Sequence, residues 1–134
     1  NRRLNHPLGL VMIDIDYFKS VNDNFGHHVG DDFLIEISQL IKQNIRTTDL
    51  LMRWGGEEFA LICLETDIQG VATLVENIRL KVENHSFKTV GKKTISAGVT
   101  VYKENDTKTT LTKRADEALY LAKNSGRNCI KIVS

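Results

Sequence analysis

Apolar positions along this chain change their period several times, and each change predicts an element. Leu8, Leu10, Val11, Met12 and Ile13 form a run that reads as a buried strand, with Asp14 at or near its end. From about Asp31 to Asn44, the residues Phe33, Leu34, Ile37, Leu40 and Ile41 fall on one face of a helix, and Asp31 and Asp32 suit its N-terminus. Leu50 to Met52 and Phe59 to Leu64 read as two strands joined by a tight turn at Gly55-Gly56. Ile68 to Glu83 has helical spacing through Val71, Leu74, Val75 and Ile78. Thr94 to Val101 alternates through Ile95, Ala97, Val99 and Val101, the period of a strand. Leu111 to Lys123 reads as a third helix stopped by Ser125-Gly126, and Ile130 to Val133 closes as a short strand. The connections are short and no repeat is visible. The expected fold is α+β: one mixed, mostly antiparallel sheet of about five strands with helices packed on it.

Composition narrows the class without naming an activity. The chain has 134 residues, the size of one domain, and 41% of them are hydrophobic, enough for an ordinary core. Lys and Arg number 18 against 17 Asp and Glu, a balance that argues against a broad surface for a nucleic-acid polymer. A nucleotide site needs only a few well-placed cations and stays open. No apolar run approaches the roughly 18 residues of a membrane span. Cys63 and Cys129 lie in apolar, strand-like segments and read as small core residues of a protein kept in a reducing compartment, not as a disulfide.

The most informative segment is Arg53-Trp54-Gly55-Gly56-Glu57-Glu58-Phe59. A glycine pair supplies the positive φ angles of a two-residue hairpin and leaves little bulk beside the two carboxylates that follow. Adjacent acids repel, so one is expected to bind a cation or to hold a shifted pKa. An ordinary hairpin with a solvated acidic tip is the alternative reading. A second acidic segment weighs against it. Asp14 at a strand end is poorly suited to a core, because an unpaired buried carboxylate is costly. Asp16 fits a helix cap. Asn22 to Asp32 reads as a polar loop punctuated by glycine, leading into the next helix. His27 and His28 are adjacent and lack the spacing of a zinc site.

Taken together, Asp14-Ile15-Asp16-Tyr17-Phe18-Lys19, then Asn22-Asp23 and Gly26-His27 through Gly30-Asp31, then Gly55-Gly56-Glu57-Glu58-Phe59, resemble the GGDEF domain of diguanylate cyclases in its GGEEF variant. Arg114-Ala115-Asp116-Glu117-Ala118-Leu119-Tyr120, Ala122-Lys123 and Gly126-Arg127-Asn128 form a third matching block, and Asn1-Arg2-Arg3 a fourth. The resemblance covers essentially the whole chain, residues 1–134. It implies the palm shared by nucleotidyl cyclases and polymerases, and an enzyme of bacterial second-messenger signalling that condenses two GTP into cyclic di-GMP and two pyrophosphates. One departure stands at the start. In the family a helix usually follows Asn-Arg-Arg, whereas here only Leu4 to His6 separate it from Pro7. Losing that helix would expose one face of the sheet, so a missing stretch is the favoured reading. The chain is expected to be an output domain cut from a larger signalling protein, with an upstream sensory or dimerisation domain, placed in the cytoplasm whether or not the parent is membrane-anchored.

The resemblance also assigns roles. Asp14, the Ile15 carbonyl and Glu57 would hold Mg²⁺, with Mn²⁺ as an alternative ion, and Glu58 would ligate a second metal or help deprotonate the 3′-hydroxyl. Amides near Tyr17 and Phe18 would meet phosphates at a helix N-terminus, and Lys19, Lys123 and Arg127 would contact the β- and γ-phosphates. Asn22 and Asp31 match the guanine readers; a carboxylate accepts from both guanine N1–H and the 2-amino group, which adenine cannot match. Leu34 packs on the base or belongs to the core. Each monomer would hold one GTP, so catalysis needs a homodimer. Arg46-Thr47-Thr48-Asp49 matches the family's inhibitory RxxD site, where the arginine binds product and the aspartate contacts a guanine edge. A supporting residue on the next helix falls at Asn77, with Arg79 nearby. The alternative is a catalytically inactive module that binds GTP or cyclic di-GMP as a receptor.

Overall fold

The structure, a computed structural model, describes residues 7–134. The Asn1-Arg2-Arg3 block and the question of a helix before Pro7 therefore lie outside the described residues. Strands β1 (Leu8–Ile15), β2 (Leu50–Gly55), β3 (Glu58–Leu64), β4 (Ile95–Val101) and β5 (Ile130–Ile132) alternate with helices α1 (Phe18–Phe25), α2 (His27–Lys42), α3 (Ile68–Glu83) and α4 (Lys108–Asn124). The sheet order is β2-β3-β1-β4-β5. All pairs are antiparallel except β4 with β5. This is the mixed, mostly antiparallel five-stranded α+β sheet that the pattern predicts.

Strand alternation divides the side chains between two faces. Val11, Ile13 and Ile15 of β1, with Phe59, Leu61 and Cys63 of β3, point into the main core, where Phe33, Ile37 and Ile41 of α2 and Val71, Val75, Ile78 and Val82 of α3 meet them. Leu10 and Met12, with Ala60, take the other face against Ala115 and Leu119 of α4. Register carries this division forward: Asp14 lies directly opposite Glu58 and continues the α4-facing row of Leu10 and Met12.

Helix α4 is drawn onto that face by close contact and locked at its start. A Cβ added to Gly98 of β4 would stand 2.2 Å from the Leu119 nitrogen and 2.5 Å from the Ala115 carbonyl oxygen, so only glycine lets the helix backbone touch the strand. Thr107 and Thr110 form a reciprocal capping box at its N-terminus. Arg114 then donates to Thr100, to the Val101 carbonyl and, in two bonds of 2.7 and 3.0 Å, to Asp106. These contacts fix where the C-terminal half of α4 delivers Lys123.

Several boundaries differ from the sequence reading. Helix α2 begins at His27, so Asp31 and Asp32 sit in its second turn and not at its N-terminus. Asn22 to Asn24, read as loop, belong to α1, because Val21 and Phe18 on its inner face are buried. The hairpin turn is shifted by one residue. Gly55 still pairs with Glu58, and Gly56 and Glu57 occupy the turn. Gly56 alone of the two glycines takes a positive φ, 47°. A bulge between Arg53 and Gly55 absorbs the difference. Both cysteines are free, with Cys63 buried as a core residue, where burial pushes its thiol up to about 12. No helix among the described residues is long and apolar enough to cross a membrane.

Candidate active site

The strand and turn geometry gathers three acids and a lysine at one end of the sheet. Asp14 is 4% exposed on β1, Glu58 faces it from β3, and Glu57 occupies the turn between β2 and β3. The Ile15 amide donates to the Glu57 carbonyl at 3.3 Å, which ties the end of β1 to the turn. Lys123 reaches from α4 to an ion pair with Asp14 Oδ2. The other oxygen, Asp14 Oδ1, is buried without a hydrogen-bond partner. A buried carboxylate oxygen in that condition is costly unless something hard and positive meets it. The donor set around it is all oxygen, the chemistry that suits Mg²⁺ or Mn²⁺. That donor chemistry suits the ion that the resemblance implies, but among the described residues no three His, Cys, Asp or Glu side chains are gathered into a metal-holding group, and Lys123 takes the place of a cation beside Asp14.

Electrostatics report the same crowding. Burial raises the Asp14 carboxyl above its ordinary 3.8, and the charges of Glu57 and Asp16 add to this, while Lys123 opposes it. Burial also raises Glu58, with the charge of Asp14 next and Lys123 again opposing. Asp116, two turns before Lys123 on the same face of α4 and given no role from the sequence, is raised by burial and lowered by Lys123. Acids raised in the fold bind more protons folded than unfolded, so their contribution to stability is present below their ordinary values and is lost as pH rises through the raised ones. Asp14→Asn should therefore raise the melting temperature in metal-free buffer by a few degrees near neutral pH and by almost nothing near about pH 4. A gap that stays constant, or reverses, across that range would contradict the assigned strain.

Asp16 is a correction. It does not cap α1; the residue at that position is Tyr17, in the left-handed region at φ 58° with no side-chain cap. Asp16 is instead buried and accepts from Thr94 Oγ1 at 2.7 Å, Ser96 Oγ at 2.6 Å and the Asn128 amide at 3.0 Å. Arg127 lies 3.9 Å from it and sits 4.9 Å above the Tyr17 ring. The structure thus brings Tyr17, Lys123 and Arg127 to the carboxylate end, together with the start of α1 at Phe18. Lys19 is less engaged: its side chain is 87% exposed and pairs with Asp23 at 2.8 Å.

Of the residues that the resemblance assigns to the base, Asp31 and Leu34 line a common cleft. A cleft of about 460 Å³ between α2 and the β2–β3 hairpin is lined by Asp31, Leu34, Ile35, Leu51, Arg53 and Phe59, among others. Leu34, 5% exposed, serves both as core and as cleft wall. Asn22 lies against Gly30, where an added Cβ would come within 1.9 Å of its Oδ1, so α1 packs on α2 one residue before Asp31; Asn22 is not part of the cleft wall. Arg53 donates to the Gly56 carbonyl at 2.9 Å and braces the turn from inside the cleft.

Similarity to known proteins agrees with this geometry. The family model described as the diguanylate cyclase GGDEF domain matches residues 1–129. The chain belongs to the GGDEF domain family. It is 42% identical over 130 residues to the response regulator PleD of Caulobacter vibrioides, covering 92% of this chain and 29% of that protein. Against diguanylate cyclase A of Treponema denticola it is 40% identical over 129 residues, covering 93% of this chain and 35% of the relative. It therefore spans about a third of the curated relatives it matches. The active GGEEF domain of a diguanylate cyclase from Vibrio cholerae superposes with a TM-score of 0.91 at 36% identity, over 99% of this chain and 86% of that one. The GGDEF domain of DgcB from Caulobacter crescentus, solved in complex with c-di-GMP, gives 0.90 at 33% identity, over 95% of this chain and 78% of that one.

The RxxD pair lies apart from the carboxylates, in the turn between α2 and β2. Arg46 Nη2 donates to Asp49 Oδ1 at 2.8 Å and to the Leu64 carbonyl at 2.7 Å, and the Arg46 amide donates to Asp49 Oδ2 at 2.8 Å. The Asp49 side chain is fully buried, whereas that of Arg46 is 45% exposed. Asp49 is thus turned inward onto Arg46, which accounts for both of its carboxylate oxygens in this structure. Asn77 borders a small surface pocket with Leu40, Lys81, Asn84 and His85. Arg79 is committed elsewhere, to Glu76, Glu83 and Asn128.

Proposed function

We propose that this domain is a diguanylate cyclase that joins two GTP into cyclic di-GMP and two pyrophosphates, each monomer holding one GTP. The observation that carries this reading is the buried, partnerless Asp14 Oδ1 opposite Glu58, beside Glu57 and within reach of Lys123. Asp14, Glu57, Glu58 and the Ile15 carbonyl would hold Mg²⁺, or Mn²⁺ in its place, and the ion would neutralise charge on the phosphoryl oxygens. Lys123 and Arg127, together with Lys19 after it leaves Asp23, supply positive charge for the β- and γ-phosphates. The raised Glu58 is placed to accept the 3′-hydroxyl proton, since a base with a raised pKa works closer to neutral pH. Because one site carries one nucleotide, the attacking hydroxyl comes from the GTP of a second copy. Supply of GTP points to a cytoplasmic setting, and the upstream partner is a sensory or dimerisation domain. Incubation with GTP and Mg²⁺, with products resolved by mass, tests the reading.

Guanine is selected by Asp31, which lines the cleft with Leu34 against the base, and by Asn22, which lies on α1 against Gly30. Asp31→Ser removes the carboxylate that matches two donors of guanine, and buried groups left unpaired reject the wrong ligand strongly. The variant should lose GTP affinity and most of its preference over ATP in competition titrations. Unchanged selectivity would mean that guanine is read elsewhere.

Product feedback acts through Arg46. Asp49 and the Leu64 carbonyl take the Nε and Nη2 donors of Arg46, leaving Nη1 and the exposed face of the guanidinium for a guanine edge or a phosphate. Cyclic di-GMP should inhibit non-competitively with GTP. Arg46→Ala should lift that inhibition and keep initial turnover, with a loss of about 1–3 kcal/mol in product binding by analogy with other bidentate guanine contacts. Equal inhibition of both proteins would reduce Arg46 to a surface charge.

A further inference from the structure

The turn that carries Arg127 is built from three consecutive residues in the left-handed region: Gly126 at φ 105°, Arg127 at 64° and Asn128 at 47°. Glycine adopts that region freely and asparagine tolerates it. Arginine pays about 1–2 kcal/mol there. Tertiary contacts must therefore hold the turn, and they converge on Asn128. Its amide donates to Asp16 Oδ2 at 3.0 Å, its Nδ2 donates to Glu83 Oε2 at 2.9 Å, and its Oδ1 accepts from Arg79 Nη1 at 2.8 Å. Arg79 is in turn fixed by a two-point pair with Glu76, at 2.8 and 2.6 Å, and its side chain is 13% exposed. A continuous polar chain thus runs from α3 through Asn128 to Asp16, the residue that also faces Arg127. Arg79 is thus held largely out of solvent by polar partners on α3 and in the turn.

We propose that Arg79 is a positioning residue for the reaction: through Asn128 it clamps the Gly126–Asn128 turn and so aims Arg127 at the phosphates of the nucleotide. The inference rests on the phosphate role given above to Arg127, and it adds a helix that touches no substrate to the machinery of the site. Without the clamp, the turn would sample the ordinary right-handed and extended conformations, and the Arg127 guanidinium would leave its place over Tyr17. The base cleft, built by α2 and the hairpin, does not depend on the clamp.

The test is a direct titration of the whole chain with a non-hydrolysable GTP analogue and, separately, with guanosine. Arg79→Met should weaken binding of the analogue about tenfold, the size of one charge-assisted contact, and leave guanosine unchanged. Asn128→Gly keeps the left-handed backbone accessible while removing both side-chain bonds, and should show the same phosphate-specific loss if Arg79→Met folds poorly. In an Arg127→Ala background, Arg79→Met should cost nothing further, because the two act through one contact. An equal loss in both backgrounds, or a parallel loss of guanosine binding, would overturn the positioning role and leave the phosphate site standing. An Arg127→Ala variant that binds the analogue normally would remove the phosphate site itself, and this inference with it.

Discussion

Glu58→Gln abolishes product formation while the fold and much of the GTP affinity remain. Glu58 lies opposite Asp14 at the open end of β3, half-buried, and is not part of either apolar cluster. The amide keeps its shape and removes a charge that burial first, and Asp14 next, already make unfavourable, so stability should be unchanged or slightly raised. What disappears is the proton acceptor, or the metal ligand, at the carboxylate end. Either loss is worth roughly a hundredfold or more in rate. Turnover within a few fold of wild type, with circular dichroism unchanged, would remove Glu58 from the chemistry.

Specific activity should rise with protein concentration. In the proposed reading, the carboxylates, Lys123 and Arg127 would supply one set of metal and phosphate contacts, enough for one GTP and half of a symmetric product. As a separate domain, this chain should meet its own copy only by diffusion, and should be slow when dilute. Fusion to a dimeric coiled coil replaces that encounter with an effective concentration near the millimolar range for a short linker, so acceleration by orders of magnitude is expected. Activity per chain that stays flat from dilute to concentrated solution, and that is indifferent to the fusion, would indicate a self-contained site.

The sheet and helices α3 and α4 were legible because their apolar periods are long and uninterrupted; Ile68–Glu83 matches its predicted bounds. The carboxylate centre was legible because glycine and acid are adjacent in sequence and the strand before Asp14 is so apolar. Three features were not. The turn moved to Gly56-Glu57 because a bulge at Trp54 shifts the register, and no local pattern marks a bulge. Asp16 looked like a cap because it precedes a helix, yet its three donors come from Thr94, Ser96 and Asn128, far along the chain. Asp49 matched a motif, but only the folded turn shows its carboxylate spent on Arg46. Asp116 and the Arg79–Asn128 link share this origin: each depends on which elements become neighbours, and composition near the residue carries no trace of it.

The central claim is that the end of this sheet joins two GTP molecules. The most direct measurement incubates the domain, fused to a dimeric coiled coil, with GTP and Mg²⁺ and resolves the products by mass. Cyclic di-GMP with two equivalents of pyrophosphate, absent when EDTA replaces Mg²⁺ and absent with Glu58→Gln, is the predicted result. Intact GTP after prolonged incubation of the forced dimer, with GTP nonetheless bound, would contradict it and mark the domain as a receptor.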